Sequence, residues 1–219
     1  MANKEFFGKS RLQYLYERPL VSPENESKTF PIEHVLKAKL EYFPGKPEPF
    51  SFDILEIGPG RGDVFMHLAN ENPQKKVCAI EIGNLRYTKL CQRITKQNLT
   101  NATVIKGDAR TLVLRDLPDD RLEKALVLFP DPWPRNCHRH MRLLQKDFVT
   151  ALLSKIKIGG ELIVGTDVKD YADWVLDHLQ DSHPEQDFSP RPIELPQTYF
   201  EAKWKQGGRE SWFIRFVRT

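Results

Sequence analysis

Four acids sit at one kind of place in this chain. Glu56 closes most of the run FDILEIG (52–58), Glu81 that of KKVCAIEI (75–82) and Asp108 that of ATVIKGD (102–108); Asp131 follows KALVLF (124–129) by two residues. Short apolar runs bounded by turn residues read as buried strands. Four carboxylates at the carboxyl ends of strands in one parallel sheet share one crevice, where open α/β sheets bind ligands. Gly58, Gly60 and Gly62, in LEIGPGRGD, occupy the turn between the first of these strands and a helix. Glycine there lets the backbone turn tightly and approach a ligand closely. A tight turn with no ligand and a set of unrelated surface acids is the alternative; the shared strand-end position weighs against it.

The acids restrict the ligand. A carboxylate two residues before the first glycine repels a pyrophosphate and suits an ammonium group, which counts against a nicotinamide dehydrogenase. Glu81 is placed to accept from a ribose diol, and Asp108 to take an adenine amino group. S-adenosyl-L-methionine fits, since it carries an ammonium and a sulfonium and no phosphate. Asp131 stands among Pro130, Pro132 and Pro134, which fix φ and stiffen the corner. A stiff corner holds a carboxylate and the neighbouring Trp133 still, as alignment of a group transfer requires. Trp133 suits either stacking on an unstacked base or plain packing.

The elements that position these groups alternate. After FDILEIG come a helix at 63–72, a strand at 75–82, a helix at 85–98, strands at 102–108 and 124–129, a helix at 145–157 stopped by Gly159-Gly160, a strand at 161–167 and a helix at 170–179. This rhythm specifies an α/β fold with a mainly parallel sheet and helices on both faces. The alternating ESWFIRFVR (210–218) is expected to add a last strand, with Trp204, Trp212 and Phe216 in packing roles. Residues 1–51 read as a separate arm with one helical pattern (Ile32, Val35, Leu36, Leu40), joined by the proline-rich link 43–51 to a domain at 52–219.

Composition is that of an ordinary globular chain: 219 residues, 40% apolar, 29% charged, net charge +3. The positive charge is local. Residues 135–142 hold three arginines and no acid, and 200–219 hold five Lys/Arg against two Glu. Such clusters on a near-neutral chain suggest a confined anionic partner. Three cysteines without a CxxC suggest neither a disulfide framework nor a zinc site, and His138 and His140 are wrongly spaced for one, so no metal is expected. The start of the chain does not read as a signal peptide and no run is long enough to span a membrane, so a cytoplasmic protein is expected.

Together LEIGPGRG, AIEI, GDA, FPDPWPR, GTD and the late TYFE resemble the bacterial tRNA (guanine-N7-)-methyltransferase family, from about residue 52 to the C-terminus. The proline-flanked PDPWP followed by basic residues is the most specific element. The resemblance implies a Rossmann-like class I methyltransferase with a seven-stranded sheet and a last antiparallel strand. It implies that Glu56, Glu81, Asp108 and Asp131 bind the methyl donor, with Asp131 catalytic, and that Arg135, Asp167, Thr198, Tyr199, Phe200 and Glu201 bind the nucleoside. It also implies that Cys137, His138, Arg139, His140, Met141 and Arg142 contact tRNA, and that the protein is a monomer or homodimer. Asp167 alternatively suits capping of the next helix. The family usually has lysine where Arg135 stands and more cations where Cys137 and Met141 stand. Two rivals stay open: an exocyclic-amine methyltransferase, whose corner carries two prolines before the aromatic residue, and a non-catalytic tRNA-binding protein.

Overall fold

The structure, a computed structural model, describes residues 36–47, 51–183, 195–196 and 210–219. Seven strands form one sheet: β1 Glu41–Phe43, β2 Ile54–Ile57, β3 Val77–Glu81, β4 Ala102–Lys106, β5 Leu122–Leu128, β6 Ile156–Thr166 and β7 Trp212–Val217. Their order is β1-β4-β3-β2-β5-β6-β7. Every residue of β2 and of β3 is buried, as expected of parallel strands covered on both faces. The inner five strands are parallel. The sequence predicts one antiparallel strand, the last; the structure has two, because β1 pairs antiparallel with β4 at the opposite edge. Strand β1 precedes the link at 43–51 and is only three residues long, too short for a periodic signal.

Helices α1 (Asp63–Glu71) and α2 (Asn84–Gln97) cover one face of the sheet; α3 (Lys146–Lys155) and α4 (Lys169–Ser182) cover the other. The first face is sealed by Val64, Phe65, Leu90 and Ile94, the second by Phe148, Leu152, Tyr171 and Val175. Truncating a side chain such as Phe65, fully buried, costs about 3–5 kcal/mol. A short helical segment at Ala109–Asp116, not expected from the sequence, buries Leu112 and Val113 on the second face.

Two expectations are corrected. Helix α3 stops at Lys155, and Gly159-Gly160 do not end it. They lie inside β6, where the pairing with β5 jumps from Leu122↔Ile156 to Lys124↔Glu161. Gly159 takes φ 79, and a Cβ on Gly160 would sit 2.8 Å from the Leu122 carbonyl oxygen, so the pair forms a bulge that only glycine permits. At the arm, Leu36 and Lys37 are helical but Ala38 is not; Ile32 and Val35 lie outside the described residues.

From β2 the chain runs on to β3 and β4 on one side, and from its neighbour β5 to β6 on the other, so the connections of these two adjacent strands go in opposite directions. This is the topological switch point, and its carboxyl edge is where a ligand crevice opens.

Candidate active site

A cleft of about 380 Å³ occupies that edge, and Gly58, Glu81, Arg86, Asp108, Asp131 and Trp133 are among its lining. Its two sides are built differently.

On the β2–β4 side the backbone does most of the work. Gly58, Gly60 and Gly62 have φ of 71°, 59° and 77°, in the left-handed region that favours glycine. A Cβ on Gly58 would meet nothing within 4 Å, so that glycine is required by its conformation and leaves open space. At Gly62 it would meet Leu90 Cδ2 at 2.2 Å, so this glycine lets α1 and α2 pack. Arg93, from α2, ties the turn down by donating to the Arg61 carbonyl and to Asp63 Oδ1 at 2.9 Å.

Two acids lie behind and within this turn. Glu56 is 2% exposed and its Oε2 has no hydrogen-bond partner among the described residues. Burial, then the nearby charge of Asp63, pushes its carboxyl up to about 8, against a bond from the Phe65 backbone that lowers it. Glu56 does not itself line the cleft; Gly58, two residues on, does. Glu81 is 3% exposed; its Oε1 accepts from the Gly83 amide at 2.7 Å and its Oε2 is buried without a partner. Buried polar atoms are normally satisfied, so two partnerless carboxylate oxygens at adjacent strand ends indicate that donor groups belong there. An ammonium and a ribose diol supply such donors, so the residues fit S-adenosyl-L-methionine.

Asp108 is different. Both its oxygens are taken by Arg110, at 3.0 Å from Nε and 2.8 Å from Nη2, and Oδ1 also accepts from the Arg110 amide at 2.8 Å. Oδ2 accepts only one of these bonds and keeps a lone pair for an adenine amine, beside Arg110, which also lines the cleft.

On the β5–β6 side, Asp131 is exposed at the end of β5. Phe129 and Trp133, on either side of it, have φ of 53° and 41°. Left-handed backbone at bulky residues costs about 1–3 kcal/mol each and persists only where the surroundings enforce it. At Phe129 the amide donates to the Gly165 carbonyl at 2.7 Å and the ring meets Phe213 edge-on; at Trp133 the preceding carbonyl is held by Arg142. Its side chain is 0% exposed, its Nε donates to the Pro132 carbonyl at 2.9 Å, and its Nη2 donates to Asp170 of α4. Its guanidinium carbon lies 4.9 Å from the Tyr171 ring centre and 5.0 Å from that of Trp174. The same helix fixes the next residues: the Leu144 amide donates to the Tyr171 hydroxyl, and Trp174 Nε1 donates to the Leu144 carbonyl at 3.1 Å.

Of the residues expected to contact RNA, two are inside: Cys137 is buried in a 3-10 turn (Asn136–Met141), and Arg142 after it is wholly interior. Arg139 donates to Asp170 at 2.7 Å, so one carboxylate occupies two of the three arginines. His138 and His140 are half-buried, and Met141 lines the cleft. Burial, then Arg135 and His140, lowers the His138 pKa. Arg135 is buried beside the corner. Asp167 follows β6 on the same edge as Asp131, next to Val168, the N-cap residue of α4. Thr198, Tyr199, Phe200 and Glu201 lie outside the described residues. Arg110, Asp170, Tyr171 and Trp174 were not singled out in the sequence, and nothing local to them gives a signal.

A family model described as "Putative methyltransferase" matches residues 51–214. A tRNA (guanine-N(7)-)-methyltransferase of Nitrosomonas eutropha is 38% identical over 154 residues, covering 68% of this chain and 69% of that protein. One of Nitrosomonas europaea is 35% identical over 170 residues, covering 76% of each. Among solved structures, a precorrin-6y C5,15-methyltransferase from Geobacter metallireducens superposes with a TM-score of 0.55 at 16% identity, covering 77% of this chain and 81% of that one. That likeness concerns the fold alone.

Proposed function

The chain belongs to the tRNA (guanine-N7-)-methyltransferase family, and from that premise we propose that it transfers a methyl group from S-adenosyl-L-methionine to N7 of a guanine in tRNA. The single observation that carries the reading is the pair of partnerless buried oxygens on Glu56 and Glu81, set beside a glycine turn in the cleft that Asp131 also faces.

In this reading Glu56 receives the donor's ammonium, Glu81 the ribose hydroxyls and Asp108 the adenine amine. The donor supplies an electrophilic methyl group on a sulfonium. Guanine N7 carries a lone pair and no proton, so no general base is needed. As the N–C bond forms and the S–C bond breaks, positive charge passes to the purine ring. Asp131 orients the base and stabilises that charge, an electrostatic role. The rigid corner supplies alignment. Arg135, Asp167 and Thr198 to Glu201 are assigned to the nucleoside by family resemblance, as is the variable-loop position of the guanine. A tRNA substrate places the reaction in the cytoplasm.

The test is methyl transfer from labelled donor to unmodified bulk tRNA, with the product nucleoside identified by mass spectrometry. 7-Methylguanosine is expected. Another methylated base would retain the donor site and discard the guanine assignment; donor binding without any transfer would mean a different substrate, and no donor binding would favour a non-catalytic tRNA-binding protein.

A further inference from the structure

After the corner, Arg135 and Arg142 are buried and Arg139 is paired with Asp170, so the cations there are largely engaged. Helix α2 carries exposed ones. Its sequence, NLRYTKLCQRITKQ, contains Arg86, Lys89, Arg93 and Lys96 and no acid. The spacing of three, four and three places all four on one stripe of the helix. Leu90 and Ile94 face the core, while Arg86, Lys89 and Lys96 are exposed. Among the described residues none of these three has an ion pair or side-chain hydrogen bond. Arg93 is bound to the glycine turn through Asp63. The stripe begins at the cleft, which Arg86 lines, beside exposed Ile82 and Leu85. It runs about 15 Å along the helix axis to Lys96. The adjacent α1 brings Asp63, which Arg93 already pairs, and Glu71 in its last turn.

Helix α4, also 14 residues long, carries four acids, but Asp170 is paired with Arg139 and Arg142, Asp173 with Lys169 and Asp181 with Lys146, so the negative charge of that face is largely compensated. A polyanion reaching the cleft is drawn to the α2 face.

We propose that the α2 stripe is a track for the phosphate backbone of tRNA, leading from the cleft along Arg86, Lys89 and Lys96. The proposal rests on the tRNA reading above. A nucleic-acid backbone carries one negative charge per nucleotide, so the partner matches the track in sign and offers more charges than the track has cations. The contact is sequence-independent and carries affinity, leaving discrimination to the cleft.

The experiment measures tRNA affinity of the full chain between 50 and 200 mM salt, for the wild type, for K89Q/K96Q and for K146Q, whose lysine lies on the other face and pairs with Asp181. Arg86 is left intact because it lines the cleft. The expected result is a loss of tRNA affinity of about tenfold in K89Q/K96Q, with the slope of log affinity against log salt shallower by roughly 1.5. Donor affinity and the single-turnover rate at saturating tRNA stay unchanged, which also reports an intact fold, and K146Q behaves as wild type. An unchanged affinity and slope in K89Q/K96Q overturns the track, as does an equal loss in K146Q. A wild type that neither binds nor methylates tRNA overturns the functional reading itself and removes the proposal with it.

Discussion

The two sides of the cleft hold their carboxylates by opposite means. On the β2–β4 side Glu56 and Glu81 are buried, and the turn beside them is shaped by glycine backbone. On the β5–β6 side Asp131 is exposed, and its place is fixed by a buried arginine behind it that leans on another helix. The first arrangement suits binding, because a buried acid without a partner is strongly satisfied by a ligand donor. The second suits chemistry, because an exposed acid can meet a large substrate while its backbone stays still. The difference teaches that binding and rate are separable here by region, which substitution can test.

The largest effect is expected at the corner. Asp131→Ala should lower kcat by about a thousandfold, the scale of losing a group aimed at transition-state charge, with donor Kd within about twofold. Full activity, or a collapse of donor binding instead, would end the separation of the two sides. Next, Glu56→Gln should weaken the donor by about a hundredfold, as charged hydrogen bonds are worth ~1.5–3 kcal/mol, while kcat at saturating donor stays within a few fold. Calorimetry and saturation kinetics decide this; a change confined to kcat contradicts the assignment. Arg142→Lys keeps the charge but loses the planar fork that spans Pro132 and Asp170. A fall of about thirtyfold in kcat with unchanged donor Kd is expected, on the scale by which small misplacements cost rate. Where the variant folds poorly, Asp170→Asn gives the same signature more weakly, about threefold on the same scale; if both leave kcat untouched, the brace has no catalytic consequence.

A pH effect separates the sides more finely. Glu56 in the free protein keeps its proton to about pH 8. The donor's amino group is protonated below its own pKa of about 7.7–8.0. Forming a carboxylate–ammonium pair below that pH therefore releases one proton, and donor affinity should rise by about tenfold per pH unit from 6 to 7 and level off near 8. A flat profile would show that Glu56 does not ionise on binding, and Glu56→Gln should flatten it. The sign for folding is opposite. The native state holds the proton to about 8 and the unfolded chain releases it near 4.5, so stability falls as pH rises through that window, by as much as a few kcal/mol. The Tm of Glu56→Gln should therefore exceed that of the wild type at pH 8 and match it at pH 4.5.

Much of this was legible in the sequence where the information is local. Strands β2 to β6 announce themselves as apolar runs, and the positions of Glu56, Glu81 and Asp131 follow from the ends of those runs. What escaped is non-local or too short. Strand β1 has three residues and depends on pairing with β4. The Gly159-Gly160 bulge reads as a helix stop until β5 is beside it. Arg142 reads as one more surface cation because charge density carries no information about burial, and its partner Asp170 lies 28 residues away. The α2 stripe was open to inspection, but it becomes informative only once the cleft is known to begin at Arg86.

The brace also imposes an order in time. As the chain leaves the ribosome, every strand of the donor side and the corner itself emerge before α4. Until Asp170, Tyr171 and Trp174 follow, the Arg142 guanidinium has no anion and no rings to lie between, and an arginine buried alone is costly. The residues for holding a methyl donor thus leave the ribosome before the helix that fixes the catalytic corner.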